Sequence, residues 1–230
     1  MRETFDLSAY FVVGPENTLG RPVAQIVESA LAGGFTFIQL RSKVATAREM
    51  IAMALEISEV IARLDKSDQV AFVIDDRLDV VLAAREAGAK VDGIHVGQGD
   101  IPVEVCRRYL GEGAIVGLSA RTKELFQFLT TVDTKVVDYL GAGPLRETAT
   151  KPDCGLLDGR VVTRSFEELK RLAKESPLPV VVGGGVKLGD LAELAQTGVA
   201  GFFVVSAISE EKNPQKAAAE LVEEWRKKVS

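Results

Sequence analysis

The run QLRSK sets Gln39, Arg41 and Lys43 at alternate positions behind a strand-like stretch. In an extended segment, residues two apart point the same way, so one amide and two cations share a side. A guanidinium and an ammonium held together suit a polyanion such as a diphosphate. A plain solvated loop is the alternative. A second group follows in IDDR, where Asp75 and Asp76 adjoin, and a third in HVGQGD, which ends on Asp100. The acidic pair can cap a helix beginning near Arg77, and Asp100 stands just ahead of Pro102, which can open another. Capping and metal binding do not exclude each other. Carboxylates from adjacent strands, completed by the phosphate oxygens of a substrate, are a usual way to hold Mg2+. A single histidine argues against a zinc site. That histidine, His95, lies in an apolar run, with a structural role or a ring hydrogen bond to a neighbouring loop as its expected use.

Further along, DYLGAGPLRETATK brings Thr148, Thr150 and Lys151 close behind Gly141 and Gly143. The run VVVGGGV lets backbone approach a ligand and expose its N–H groups, and VVSAIS supplies Ser206 as a second edge. The chemistry therefore collects as two anion sites. One has cations and acidic residues; the other is built mainly of backbone, and the Thr-x-Thr-Lys loop stands between them. Two phosphorylated reactants, or one bis-phosphorylated reactant, would fit.

These residues need strand ends to carry them. Eight short, nearly continuous apolar runs are spaced along the chain: 10–13, 35–41, 70–75, 93–97, 114–119, 137–142, 179–184 and 201–206. Continuous rather than alternating apolar character suits parallel strands covered on both faces. Amphipathic segments separate them. RPVAQIVESALAGG has Pro22 near its start and two glycines after its end, the usual punctuation of a helix. The segments at 46–66, 77–89, 102–111, 121–132, 164–176, 187–198 and 213–229 continue the series, and Trp225 is expected to anchor the last one. Eight such units with no linker predict one (β/α)8 TIM barrel spanning residues 1–230 as a single catalytic domain. An open doubly wound sheet is the competing fold, but no Gly-x-Gly-x-x-Gly follows the first strand. In a barrel the chemistry sits at the carboxyl ends of the strands, where the groups above all fall, with Ser119 closing strand five.

Bulk composition bounds the partners. Of the 230 residues, 47% are hydrophobic, enough for a large core, and the net charge is −5. A nucleic-acid partner would favour a basic domain and is not expected. No run approaches the roughly 18 apolar residues of a membrane span, so no membrane partner and a cytoplasmic location are expected. Two cysteines do not make a disulfide framework. Cys106 is expected to pack within a helix and Cys154 to be an incidental loop thiol.

In order and spacing, these motifs resemble the thiamine phosphate synthase family, also called thiamine phosphate pyrophosphorylase. QLRSK is similar to the family's Q-L-R-x-K, and the stretch from VIDDR to HVGQGD is similar to I-N-D-R followed by H-L-G-Q-x-D. GLS, DYLGAGPLRETATK, VGGGV and VVSAI match the remaining motifs, so the resemblance runs from about Tyr10 to Ile208. It implies a transferase that couples hydroxymethylpyrimidine diphosphate to a thiazole phosphate, releasing diphosphate with the help of Mg2+. By the resemblance, Gln39, Leu40, Arg41, Ser42, Lys43 and Asp75 meet the pyrimidine diphosphate, and Asp76 and Asp100 hold the metal. Ser119 and Lys151 meet the diphosphate as well. Thr148, Ala149, Thr150, Gly185, Val205 and Ser206 surround the thiazole phosphate. Arg41, Lys43, Ser119 and Lys151 would be the catalytic group. The implied partners are small phosphorylated molecules, with a homodimer allowed for.

Two departures stand out. The family usually carries Asn where this chain has Asp75, and its glycine run is one residue shorter than Gly183–Gly185. An ionised Asp accepts hydrogen bonds but cannot donate to a pyrimidine as Asn can. Rival readings are a thiazole tautomerase on the same fold and a non-catalytic barrel that binds phosphorylated ligands. The cations of QLRSK argue against the first, and acidic residues placed for Mg2+ argue against the second.

Overall fold

The computed structural model describes residues 4–120, 125–147, 156–157 and 160–229. The apolar runs form β1 (Ala9–Val13), β2 (Phe37–Leu40), β3 (Ala71–Asp75), β4 (Gly93–Val96), β5 (Ile115–Ser119) and β6 (Tyr139–Ala142). A small antiparallel ribbon follows, β7 (Leu156–Leu157) with β8 (Arg160–Val161), and then β9 (Val180–Val182) and β10 (Gly201–Val204). The helices between them are α1 (Val23–Ala32), α2 (Ala47–Arg63), α3 (Leu78–Glu86), α4 (Val103–Leu110), α5 (Leu125–Leu129), α6 (Phe166–Glu175), α7 (Leu191–Gln196), α8 (Ser206–Ser209) and α9 (Pro214–Val229).

Eight strands close a parallel barrel: β1 to β6 in sequence order, then β9 and β10. Closure is explicit, since Ala9 lies opposite Phe202 and Phe11 opposite Val204. The expected (β/α)8 fold is therefore present, and the open sheet is excluded by the pairing of first and last strands. The ribbon lies in the link between β6 and β9, which pair directly (Leu140 with Val180), so it leaves the barrel ladder intact.

Alternation along each strand divides the interior into two cores. Outward residues such as Phe11, Ile38, Leu40, Phe72, Ile74 and Ile94 pack under the helices. Inward residues such as Tyr10, Phe37, Val73, Ile115, Tyr139 and Val181 fill the barrel lumen. Aromatic rings form its floor: Tyr10 and Phe37 have centroids 4.3 Å apart, and Phe37 and Tyr139 are 5.5 Å apart edge to face. Such bulk fits only because Gly117 faces it. A Cβ there would lie 2.2 Å from Tyr139 Cζ and 2.5 Å from His95 Nδ1.

Local signals explain the helix starts. Thr46 and Glu49 form a reciprocal capping box at α2, and Ser165 with Glu168 repeats it at α6. Trp225 packs against Phe202 at 5.4 Å, as expected for the anchor of α9, and Cys106 is fully buried. The acidic pair does not cap α3, contrary to one sequence expectation. That helix begins at Leu78 with Arg77 at the cap position and no side-chain cap. Asp75 instead completes β3, and Asp76 adopts a left-handed φ of 59°. Asp100 does not cap α4 either: it accepts from the Gly97 amide at 2.9 Å and closes the turn before it, while Pro102 takes the cap position.

Candidate active site at the carboxyl mouth of the barrel

The QLRSK residues meet β3 at the mouth. Gln39 lies opposite Val73, so the next inward position on β3 is Asp75. The backbone ladder continues past β2, with Arg41 N–H donating to the Val13 carbonyl at 2.8 Å, and this keeps Arg41 on the inward side with Gln39. The Gln39 amide donates to Asp75 Oδ1 at 3.2 Å, and Arg41 Nε lies 3.1 Å from Asp75 Oδ2. Lys43 Nζ donates to Asp76 Oδ2 and stands 3.9 Å from Asp75. The amide and both cations therefore lie on one side, as the alternate spacing predicts, and there they meet the acidic pair.

Glu16, which the sequence did not single out, fixes the loop carrying Lys43. It accepts from the Ser42 hydroxyl at 2.8 Å and the Lys43 backbone N–H at 2.7 Å. Burial alone would raise the Glu16 pKa; the amides at positions 16, 43 and 44 and the Ser42 hydroxyl outweigh it and hold the carboxyl below its usual range. Burial likewise disfavours charge on Asp76, but the Lys43 ammonium, then the Asp100 and Asp75 carboxyl groups, bring its pKa below the ordinary aspartate value. For Lys43, partial burial is outweighed by Asp76 and then Asp75, and its pKa rises.

The Asp100 carboxyl group is close enough to Asp76 to bear on its ionisation. Among the described residues, no cluster of three or more His, Cys, Asp or Glu side chains is placed to hold a metal unaided. Two carboxylates of hard oxygen donors fit Mg2+, which usually keeps water and takes further oxygens from a substrate phosphate. Asp75 faces Gln39 and Arg41 and is engaged there.

Below this pair runs a buried polar chain. His95 Nε2 lies 3.0 Å from Ser119 Oγ, and Nδ1 lies 2.9 Å from the Tyr139 hydroxyl. That hydroxyl is 2.9 Å from the Tyr10 hydroxyl on the lumen floor. The register sets these contacts by aligning Asp75 with His95, His95 with Gly117, and Ser119 with Gly141.

On the other side of the mouth, the loop after β6 packs onto the glycine run. Leu145 and Arg146 N–H both donate to the Gly184 carbonyl, at 2.9 and 3.0 Å. Arg146 reaches the Gly185 carbonyl at 3.0 Å and grips Asp190 with two bonds of 2.5 Å. Gly184 and Gly185 take φ of 83° and 77°, and a Cβ on Gly185 would meet the Arg146 Cβ at 2.9 Å. The third glycine thus lets the two loops lie against each other. Val205 packs partly into the lumen, and Ser206 opens the short α8.

Two residues of the expected set point elsewhere. Leu40 is fully buried in the outer core, so only its backbone faces the mouth, and the Ser42 hydroxyl is committed to Glu16. Thr148, Ala149, Thr150, Lys151 and Cys154 lie outside the described residues. Among those described, no helix is long and apolar enough to cross a membrane.

The chain is similar to known proteins over nearly its whole length. A family profile described as thiamine monophosphate synthase matches residues 9–208. A thiamine-phosphate synthase of Corynebacterium efficiens is 39% identical over 222 residues, covering 96% of each chain. One of Persephonella marina is 35% identical over 211 residues, covering 92% of each. Among solved structures, a thiamine phosphate pyrophosphorylase from Pyrococcus furiosus superposes with a TM-score of 0.77 at 30% identity, covering 96% of this chain and 97% of its own. An orotidine 5'-phosphate decarboxylase from Pyrococcus horikoshii, at 16% identity and a TM-score of 0.61, shares the fold alone.

Proposed function

The chain belongs to the thiamine monophosphate synthase family, a family of transferases, and from that premise we propose that it couples hydroxymethylpyrimidine diphosphate to a thiazole phosphate. The observation that carries the reading is the convergence of Gln39, Arg41 and Lys43 on Asp75 and Asp76 at the carboxyl mouth. A diphosphate entering there meets two cations already held in place.

In the reaction, the C–O bond of the pyrimidine methylene breaks first, and its electron pair leaves with the diphosphate oxygen. The thiazole nitrogen then gives its lone pair to the methylene cation, forming the C–N bond of thiamine phosphate. Negative charge grows on the leaving group as the bond breaks. Arg41, Lys43 and Ser119 therefore interact more strongly with the transition state than with the bound substrate, which is the condition for acceleration. Lys151 joins them by family resemblance. No side-chain nucleophile is needed, and holding two reactants in contact supplies much of the remaining barrier reduction. Asp76 and Asp100 would hold Mg2+, whose chemistry is to neutralise diphosphate charge. The backbone of Gly184 and Gly185, clamped by Arg146, suits the second phosphate.

The test incubates the purified protein with both substrates, with Mg2+ and with a chelator, and measures thiamine phosphate and diphosphate. Formation of both in equal amounts, dependent on Mg2+, is expected. Arg41→Ala should lower kcat by on the order of 10²–10³. Absence of product under every metal condition, or wild-type turnover by the variant, would refute the reading.

A further inference from the structure

The chain of hydroxyls beneath the mouth has a direction, and the direction has a consequence for Ser119. Tyr10 is 2% exposed, and among the described residues the only polar partner of its hydroxyl is that of Tyr139. A hydroxyl with one partner keeps its own proton satisfied only by donating it. Tyr139 then accepts from Tyr10 and directs its proton to His95 Nδ1 at 2.9 Å. A neutral imidazole whose Nδ1 accepts carries its proton on Nε2, aimed at Ser119 Oγ 3.0 Å away. The reverse sense would strand the Tyr10 proton in the lumen. A buried donor left unpaired disfavours that arrangement by roughly tenfold to a hundredfold. Burial also raises the phenol pKa values of both tyrosines, so each stays protonated as a donor.

We propose that His95 is a positioning residue which, set by Tyr139 and Tyr10, makes Ser119 accept from below and so commits the Ser119 hydroxyl proton to an anion in the mouth. Among the described residues, Ser119 Oγ has no other hydrogen-bond partner than His95. Its proton is therefore available to the bound diphosphate, in line with the function proposed above, on which this assignment rests. Gly117 is part of the device, because any side chain there would overlap both Tyr139 and His95. A serine turned the other way would present only lone pairs to the diphosphate and repel it.

The chain has one histidine, so 15N-labelled protein reports a single imidazole. At pH 8 the wild-type ring is expected to carry its proton on Nε2 alone, with Nδ1 in the chemical-shift range of a hydrogen-bonded acceptor. Protonation of Nδ1 would overturn the proposal, as would an Nδ1 shift typical of a free acceptor. The second measurement is affinity for inorganic diphosphate in Mg2+, by calorimetry, for Ser119→Ala, Tyr139→Phe and the double variant. Ser119→Ala should weaken binding about tenfold, the worth of one charge-assisted hydrogen bond, and Tyr139→Phe several-fold. The double variant should bind no more weakly than Ser119→Ala alone, because both changes remove one interaction. Losses that multiply would mean that Tyr139 acts structurally. If Tyr139→Phe does not fold, the wild-type spectrum still decides. Neither readout uses turnover, so a chain that passes both yet makes no thiamine phosphate would refute the proposed function and leave the positioning role standing.

Discussion

Asp75→Asn separates the stability of the site from its appetite for anions. The Asp75 side chain is 6% exposed and its Arg41 partner 15%. Asn keeps one oxygen for Gln39 or Arg41 but loses the charge and the second acceptor. Weakening the hydrogen bond from Gln39 to a charged acceptor and removing the Arg41 ion pair together cost about 1.5–3 kcal/mol. The lower end is expected here, because the mouth is open to solvent. Binding should move the other way. Arg41 and Lys43 face Asp75 and Asp76, so the variant leaves these two cations with one opposing carboxylate fewer. A unit charge about 6 Å from a phosphoryl oxygen contributes nearly 3 kcal/mol at an effective dielectric of about 20. Lys43 is 52% exposed, and solvent screening brings the gain to about half of that, or roughly tenfold in affinity. Urea unfolding should give a lower midpoint with an unchanged slope, and calorimetry should give tighter inorganic diphosphate binding, with turnover retained or raised. A variant that binds diphosphate more weakly would show that Asp75 preorganises Arg41 rather than restraining it, and the charge reasoning would be wrong.

Three further outcomes follow from the same geometry. Glu16→Gln should lower stability at pH 7 by about 1 kcal/mol. The folded pKa of Glu16 lies below its ordinary value of 4.5, so its contribution is full above that value and is lost as pH falls through the folded one. Thermal melts of variant and wild type should therefore converge at the acid end, and a gap that widens there would contradict the assignment. Gly185→Ala places a β-carbon at a φ of 77° against Arg146, and should lower the urea midpoint by the equivalent of about 1–3 kcal/mol; an unchanged midpoint would mean that the two loops do not need their close approach. Cys106 is fully buried, and burial raises its thiol pKa to about 11. Iodoacetamide at pH 8 should modify it only in denaturant, as peptide mapping can check, and rapid labelling of the native protein would refute its burial.

The barrel was legible in the sequence because each strand is covered on both faces and reads as an unbroken apolar run. Gln39 and Arg41 could be paired because a period of two survives in any extended segment. The acidic pair was harder. Asp before a helix reads as a cap, and only the observed left-handed φ at Asp76 and the start of α3 at Leu78 remove that reading. Glu16 was invisible because its contact with Ser42 spans 26 residues and follows no local pattern. The direction of the tyrosine chain was equally hidden: His95 and Tyr139 are 44 residues apart and meet only through the register of β4, β5 and β6. The ribbon of β7 and β8 has two residues in each strand, too few for any periodicity to announce it.

Closure of the barrel by β10 also dictates an order of events during synthesis. One edge of β1 finds β2 soon after residue 40 exists, but its other edge must wait for residues 201–204. A nascent chain therefore carries one open edge of this strand, which is wholly buried in the finished fold, through most of its elongation, the kind of edge that invites wrong partners. Bringing its two sides together closes a loop of nearly 200 residues, at an entropic cost on the order of 5 kcal/mol. The lone tryptophan sits on Phe202, beside that final seam. Its fluorescence is thus a natural reporter of the moment at which the ring of strands becomes complete.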